Sequence, residues 1–208
     1  MRAGLRDLLC LALLASPVTV LVAQAPQVPP AAPHREVVPW TTLPAGMEWG
    51  EVPATAVTPD GHVLVLRRAE PPILEFDRSG RLLKSFGQGL MVWPHGIRVD
   101  RDGFIWVTDG RAENGRGQQV FKMDRAGTIL MTLGTKGVSG ATDTTFDGPC
   151  DVDVAANGDI FVADGHRNSR IVRFTKDGRF VKAWGTRGSG PGQLNVPHAL
   201  AIDARGRI

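Results

Sequence analysis

Two histidines recur at the same place in a repeated string and could share one metal ion. His95 follows Pro94 in the string Pro-His-Gly-Ile, and His198 follows Pro197 in the string Pro-His-Ala-Leu. A third copy of the string lies between them, with Cys150 in place of the histidine. Equivalent positions of a closed repeat converge on one axis, and three histidines with an open position form a known catalytic zinc arrangement. The spacing therefore predicts that His95 and His198 are zinc ligands.

The sequence around these histidines repeats a pattern of four short strands. Runs rich in Val, Ile and Phe are cut by Asp-Gly and Asn-Gly pairs, which is typical of strands joined by hairpins. A turn glycine recurs roughly every 42 to 55 residues, and four strands at that period are one blade of a β-propeller. The turn glycines are Gly61, Gly103, Gly158 and Gly206.

The repeat predicts an all-β propeller in which the first strand of each blade lines the central channel. Three units cover residues 54–87, 95–134 and 151–185, and a fourth opens at Pro197 and reaches its first turn at 203–206. A propeller closes with about 4–8 blades, so we expect this sequence to be the first part of a longer one. Three blades and the start of a fourth leave open sheet edges, and we expect residues 26–208 alone to be weakly stable.

Composition and the N-terminus predict an exported protein. The formal net charge is +3 and the basic residues are scattered, which argues against a nucleic-acid surface. Residues 1–25 combine a positive start, an apolar stretch and a small-residue end, as in a signal peptide; an uncleaved N-terminal anchor is the alternative. Residues 26–50 are rich in Pro and Ala and predict a flexible linker before the propeller at 51–208. After removal of the signal peptide Cys150 is the only cysteine of this sequence, so no internal disulfide is expected. Stable membrane insertion after that cleavage is not expected either.

Several ordered strings together resemble a known family. These are PHGIRVD at 94–100, WVTD at 106–109, DGHRNSRI at 164–171, WG at 184–185 and PGQLNVPH at 191–198. They resemble the NHL-repeat propeller of the peptidyl-α-hydroxyglycine α-amidating lyases, also called peptidylamidoglycolate lyases, over about residues 54–208. The resemblance implies a six-bladed propeller that splits a peptidyl-α-hydroxyglycine into a peptide amide and glyoxylate.

The resemblance also implies a set of site residues. His95 and His198 match two of three histidines that hold the family's zinc, and the third ligand is expected after Ile208. Arg68 matches an active-site arginine that engages the substrate, although its neighbour Arg67 is a rival for the same position. The family's calcium, which stabilises the channel, implies contacts from the backbone carbonyls of Thr55 and Ile97.

The sequence departs from the family pattern at two places. His166 stands where the animal enzyme has a catalytic tyrosine, and histidine can act as a general base in its place. The two positions of the family's blade disulfide are Asp147 and Arg167 here, which predicts an ion pair. Cys150 is expected to be a small packed residue rather than a nucleophile. Asp164, with Asn168 and Arg170, is expected to tie adjacent blades together.

Three functions remain open from the sequence. The first is a secreted, zinc-dependent lyase acting on a peptide or other small molecule, with His166 and Arg68 as catalytic residues. The second is an NHL module that binds a protein or glycan without catalysis, and the third is a lactonase-type propeller hydrolase. Histidine-rich channel ligands favour the first over the third. His62, in an Asp-Gly-His turn, and His34, in the linker, are expected to have no role, with His62 exposed to solvent. The oligomeric state is not indicated by the sequence.

Overall fold

The computed structural model describes residues 36–208, and all regular structure in this part of the chain is β-strand. The predicted signal peptide and His34 lie outside the described residues. Three four-stranded antiparallel sheets follow one another, each a meander of consecutive strands, as expected for propeller blades. The strands are β1 (Ala54–Val57), β2 (Val63–Leu66), β3 (Ile73–Phe76), β4 (Leu82–Phe86), β5 (Pro94–Val99), β6 (Ile105–Asp109), β7 (Gln119–Met123), β8 (Ile129–Leu133), β9 (Pro149–Val154), β10 (Ile160–Asp164), β11 (Arg170–Phe174) and β12 (Phe180–Trp184).

The apolar core lies between the faces of successive blades. Leu64 and Ile73 of the first blade pack with Ile105 and Phe121 of the second. A second cluster joins the second and third blades in the same way, with Trp106 at its centre. Neighbouring sheets therefore depend on each other for burial, because the second blade packs one face on the first blade and the other face on the third. In the described residues, no helix has the length and apolar character that crossing a membrane requires.

The turns between the strands confirm the repeat that the sequence predicts. All four turn glycines have positive φ, between +76° at Gly206 and +87° at Gly158, a region that favours glycine. At Asp100 the carboxylate accepts the backbone N–H of Asp102 at 3.0 Å, and the corresponding bond at Asp203 closes the turn near the end of the chain at 2.9 Å. The same turn chemistry is therefore used in the second and the fourth unit.

The segment before the first blade is packed rather than a free linker. Trp40, Leu43 and Met47 lie against the first blade's cluster, and the Trp40 and Phe76 ring centroids are 5.5 Å apart. The predicted linker over 26–50 is therefore wrong for Trp40 onward, since burying these apolar side chains anchors the backbone. Composition alone hid this, because proline and alanine outnumber the few large apolar residues.

The prediction that His62 is simply exposed is also wrong. Its Nδ1 lies 2.7 Å from Oε1 of the buried Glu75, which also contacts Lys84 and Arg125. Burial alone raises the pKa of Glu75, but the hydrogen bond from His62 and the charges of Arg125 and Lys84 outweigh it and hold that pKa below its usual range. His62 thus belongs to an ion-pair network that links the first two blades, because Arg125 comes from the turn after β7.

Candidate metal centre

Four side chains with metal-binding atoms converge at one point of the channel. One nitrogen or sulfur from each lies within 4.8 Å of every other. They are His95, Cys150, His166 and His198. Imidazole nitrogens and thiolate sulfur are the donors that zinc prefers, so this set suits a transition metal better than calcium. The sequence predicted His95 and His198 for this place, and the structure brings their rings to a centroid distance of 4.6 Å.

His95 is positioned by the inner strands of two blades. It stands at the start of β5, and its Nδ1 donates to the carbonyl oxygen of Cys150 on β9 at 2.8 Å. Gly96 allows this approach, since a Cβ there would come within 2.6 Å of the same carbonyl. The bond fixes the tautomer and leaves the Nε2 lone pair free, as in many metal-binding histidines. Burial lowers the pKa of His95 to about 4, and the nearby charges of His198, His166 and Arg68 add to this, so the ring is neutral at physiological pH.

His166 reaches the same point from the loop after β10. Its Nε2 is 2.9 Å from Nε2 of His95, and its ring centroid is 5.0 Å from that of His198. The backbone N–H of His166 donates to the carbonyl of Gly148 at 3.2 Å, and a Cβ on Gly148 would meet the His166 Cβ at 2.5 Å. Burial, followed by the charges of His198 and nearby arginines, lowers the pKa of His166. The side chain therefore lies inside the cluster rather than at the channel rim.

His198 lies in the segment after β12, where the chain begins the next inner position. The backbone N–H of Leu200 donates to Asp151 Oδ2 at 3.1 Å, and that of Ile202 donates to Asp153 Oδ2 at 3.0 Å. These hydrogen bonds align the segment with β9 and hold it against the third blade. His198 is exposed, so the cluster opens to solvent on this side.

Cys150 occupies the position in β9 that His95 occupies in β5. Its thiol is buried and donates to the carbonyl of Gly148 at 3.2 Å, and burial raises the pKa of the thiol to about 11. The burial confirms a small packed residue. That Cys150 is not a nucleophile stays a prediction, which the raised pKa supports because the thiolate is the reactive form. The prediction missed that the thiol faces the metal cluster. The sequence held one signal for this, because Cys150 follows a proline at the same place in the repeat as His95 and His198 do.

Arg68 rather than Arg67 faces the cluster. The guanidinium of Arg67 is buried and donates to the carbonyls of Glu70 and Pro71, so it is structural. Arg68 donates to the carbonyl of Pro94 at 3.2 Å and is paired with Glu51. Both arginines follow the end of β2, and their contacts decide between them, since only Arg68 lies against Trp93 beside the cluster.

Trp93 connects the arginines to the histidines. Its ring centroid is 5.2 Å from that of His95 and 5.1 Å from that of His166. The guanidinium carbons of Arg68 and Arg111 lie 4.0 and 4.8 Å from the same ring, within cation–π distance. Two cationic groups are therefore held beside the cluster, where they can bind an anionic group of a substrate.

The loop that carries His166 is anchored by a buried carboxylate. Asp164 accepts from the backbone N–H of Asp147 at 2.9 Å, from Asn168 Nδ2 at 2.7 Å and from Arg170 Nε at 2.8 Å. Arg170 also donates to the carbonyls of Ala141, Thr142 and Thr145 in the connection from β8 to β9. These contacts confirm the predicted role of the three residues in tying adjacent blades.

Two remaining predictions concern the blade edge and calcium. Arg167 Nη1 and Asp147 Oδ1 are 3.9 Å apart, which confirms an ion pair at the former disulfide positions. Thr55 and Ile97 both line a cavity of about 530 Å³ that also contacts His95 and His198. The calcium contacts of their carbonyls stay a prediction.

Comparisons with known proteins agree on one kind of protein. Residues 91–116 match the NHL repeat. The chain is 33% identical over 181 residues to a probable peptidyl-alpha-hydroxyglycine alpha-amidating lyase of Caenorhabditis elegans, covering 74% of this chain and 50% of that protein. It is 42% identical over 142 residues to the peptidylglycine alpha-amidating monooxygenase of Rattus norvegicus, covering 64% of this chain and 14% of that protein. The chain thus spans at most about half the length of these relatives.

A solved structure shares the fold. A chain in the nidogen–laminin complex matches this one with a TM-score of 0.58 and 20% sequence identity, covering 76% of this chain and 54% of that chain. At this identity the likeness concerns the fold alone, and it agrees with the propeller arrangement of the sheets.

Proposed function

The chain belongs to the peptidyl-α-hydroxyglycine α-amidating lyase family, and we propose that it forms part of an exported, zinc-dependent lyase of this kind. The substrate would be a peptide ending in α-hydroxyglycine, and the products a peptide amide and glyoxylate. The observation that carries the proposal is the convergence of imidazoles next to Arg68. Export is part of the proposal and depends on the leader-like residues 1–25.

Zinc fits the donors of the cluster, and His95 and His198 are the proposed ligands. Their neighbourhood supplies nitrogen and sulfur donors, and no carboxylate belongs to the cluster within the part of the chain that the structure describes. This composition favours the lyase over a lactonase-type hydrolase, for which carboxylate-rich channel ligands were expected. When bound, zinc supplies a positive charge that lowers the pKa of an oxygen it contacts. Calcium, held through the carbonyls of Thr55 and Ile97, would have a structural role in the channel.

The reaction requires a proton transfer and the cleavage of one bond. The α-hydroxyl loses its proton, its oxygen forms a double bond to the α-carbon, and the carbon–nitrogen bond breaks. The electron pair of that bond leaves with the nitrogen, which takes up a proton and becomes the primary amide. No oxidant or reductant is consumed, so the chain needs no redox cofactor for this step.

Arg68 would bind and orient the carboxylate of the glycolate end. A guanidinium matches the two oxygens of a carboxylate, and the contact of Arg68 with Trp93 fixes its plane. The recess of about 240 Å³ between Trp93, Arg111, Ser139 and His166 opens beside the cluster and gives room for the peptidyl side of the substrate. Orienting the carboxylate places the α-hydroxyl toward the imidazoles.

The sequence predicts His166 as the base that accepts the hydroxyl proton. Because its Nε2 lies in the cluster itself, His166 can serve as a base or as an additional ligand. The two roles differ in an observable way, since a ligand sets metal affinity and a base does not.

The test is glyoxylate release from a hydroxyglycine-extended peptide by the natural full-length protein. We expect release with zinc, its loss after chelation, and its recovery when zinc is restored. The His62→Gln variant, altered outside the cluster, should retain the activity. If the fully zinc-loaded protein releases no glyoxylate above background, the lyase assignment is rejected and the binding module becomes the better interpretation.

A further inference from the structure

The geometry points to His166 as a metal ligand rather than a free base, so that three imidazoles of this chain bind one ion. The inference rests on the metal centre of the proposed function but not on the lyase reaction. It changes the role predicted from the sequence, in which a histidine in place of a tyrosine removes the substrate's proton. The three imidazoles come from the start of β5, from the loop after β10 and from the segment after β12.

The first argument is distance. Two nitrogen ligands on one tetrahedral zinc lie about 3.4 Å apart when each zinc–nitrogen bond is about 2.0–2.1 Å. A base instead stands about 2.6–3.2 Å from the substrate oxygen, and that oxygen separates it from the ligands. Nε2 of His166 is 2.9 Å from Nε2 of His95, which leaves no room for an oxygen atom between them. The separation is about 0.5 Å shorter than that of two zinc ligands, so a small movement of the rings admits an ion that both nitrogens bind.

The second argument is the identity of the atoms that face each other. Nδ1 of His95 is occupied by its bond to the Cys150 carbonyl, so the atom facing His166 is the nitrogen that carries the lone pair. Without an ion, the Nε2–H tautomer of His166 donates to this lone pair at 2.9 Å. A cation bound by the two rings and His198 takes the place of that proton and uses all three nitrogens.

The third argument is the way in which the loop holds the ring. The backbone N–H groups of Gly165 and His166 both donate to the carbonyl of Gly148, and Asp164 fixes the start of the loop through Asn168. Close packing against Gly148 leaves the His166 Cβ little freedom. Metal ligands need such preorganised support, with rotamers held by packing and hydrogen bonds.

The test measures metal affinity in the natural full-length protein, with zinc and cobalt as the probes. Changes of an outer-shell residue typically weaken metal affinity about 10–100-fold. We expect His166→Gln to weaken it more than about 100-fold and to alter the visible spectrum of bound cobalt. His95→Gln should behave alike, and His62→Gln is the matched control that should bind like the wild type. A loss of 100-fold or less in His166→Gln, with an unchanged cobalt spectrum, overturns the inference.

A second measurement needs no variant and covers the case in which His166→Gln fails to fold. In the wild-type protein loaded with cadmium and labelled at its histidine nitrogens, a bonded nitrogen shows scalar coupling to the metal. We expect this coupling at Nε2 of His166 as well as at His95; its absence at His166 alone refutes the ligand role. Failure of the lyase proposal looks different, because metal binding through His166 would then persist without glyoxylate release.

Discussion

Replacing Asp164 by alanine should destabilise the protein more than any exposed charge change. The substitution removes an acceptor from three donors and leaves the guanidinium of Arg170 buried without its counter-charge. Breaking a buried ion pair by removing one partner costs about 3–5 kcal/mol. Because a domain of this kind is stable by about 5–15 kcal/mol, the loss would be a large part of the total. Asp177→Ala is the control, since that carboxylate is exposed and pairs with Lys176 at the surface; it should cost less than about 0.5 kcal/mol.

Equilibrium unfolding in urea, followed by tryptophan fluorescence, measures both variants. Each 1.4 kcal/mol changes the unfolding constant about tenfold, so Asp164→Ala should raise it by roughly two to nearly four orders of magnitude. Combining Asp164→Leu with Arg170→Met removes both charges and should restore part of the loss, because no charge is left buried. The reasoning fails if Asp164→Ala costs less than about 1 kcal/mol, or if the second substitution adds to the first instead of offsetting it.

Three further predictions follow from the structure. Gly148→Ala should destabilise the protein more than Gly103→Ala, because both glycines have positive φ but only at Gly148 would a Cβ meet a neighbour. In urea unfolding, Gly103→Ala should cost about 1 kcal/mol and leave zinc affinity unchanged. Gly148→Ala should cost more and also weaken zinc binding. The pKa of Glu75 is lower in the folded than in the unfolded protein, so ionised Glu75 stabilises the fold above the unfolded pKa, and this stabilisation is lost as pH falls through the folded pKa. The stability difference between wild type and Glu75→Gln should therefore shrink from about pH 5 to pH 3. A constant difference would contradict this. Arg68→Lys should lower kcat/KM for glyoxylate release about 10–100-fold and leave zinc affinity unchanged. The lysine ammonium keeps the positive charge but cannot donate two parallel hydrogen bonds to a carboxylate as a guanidinium does. An unchanged kcat/KM would show that Arg68 does not bind the substrate.

The strands and turns were predictable because they depend on local pattern. Alternating apolar residues and glycine-containing turns predicted four-stranded units over 95–134 and 151–185, and β5 to β8 and β9 to β12 occupy these ranges to within two residues. The meeting of His95 and His198 was predictable as well, since equivalent positions of a repeat need no knowledge of the loops. The family resemblance left two arginines open, and only the contacts in three dimensions selected Arg68, which lies against Trp93 whereas Arg67 donates to the carbonyls of Glu70 and Pro71.

The features that the sequence did not reveal depend on contacts across blades. His166 lies in a loop outside the repeated Pro-x string, so the family resemblance predicted it as a catalytic residue but nothing in the spacing placed its ring beside His95. The network of His62 requires Arg125, which is 63 positions later and belongs to the next blade. In both cases the partner is distant along the chain, and its position follows from the packing of whole sheets rather than from local pattern.

The repeated strands and one connecting loop each position different donors of the site. The Pro-x position occurs in three successive units, and the structure brings all three side chains, His95, Cys150 and His198, to one cluster. The repeat therefore decides where donors meet, whichever residue stands at the position. The exception is His166, which comes from a connecting loop and depends on Gly148 and the Asp164 anchor for its place. A change in the repeat position should thus alter which metal is preferred, whereas a change in the loop should alter whether the third imidazole reaches it.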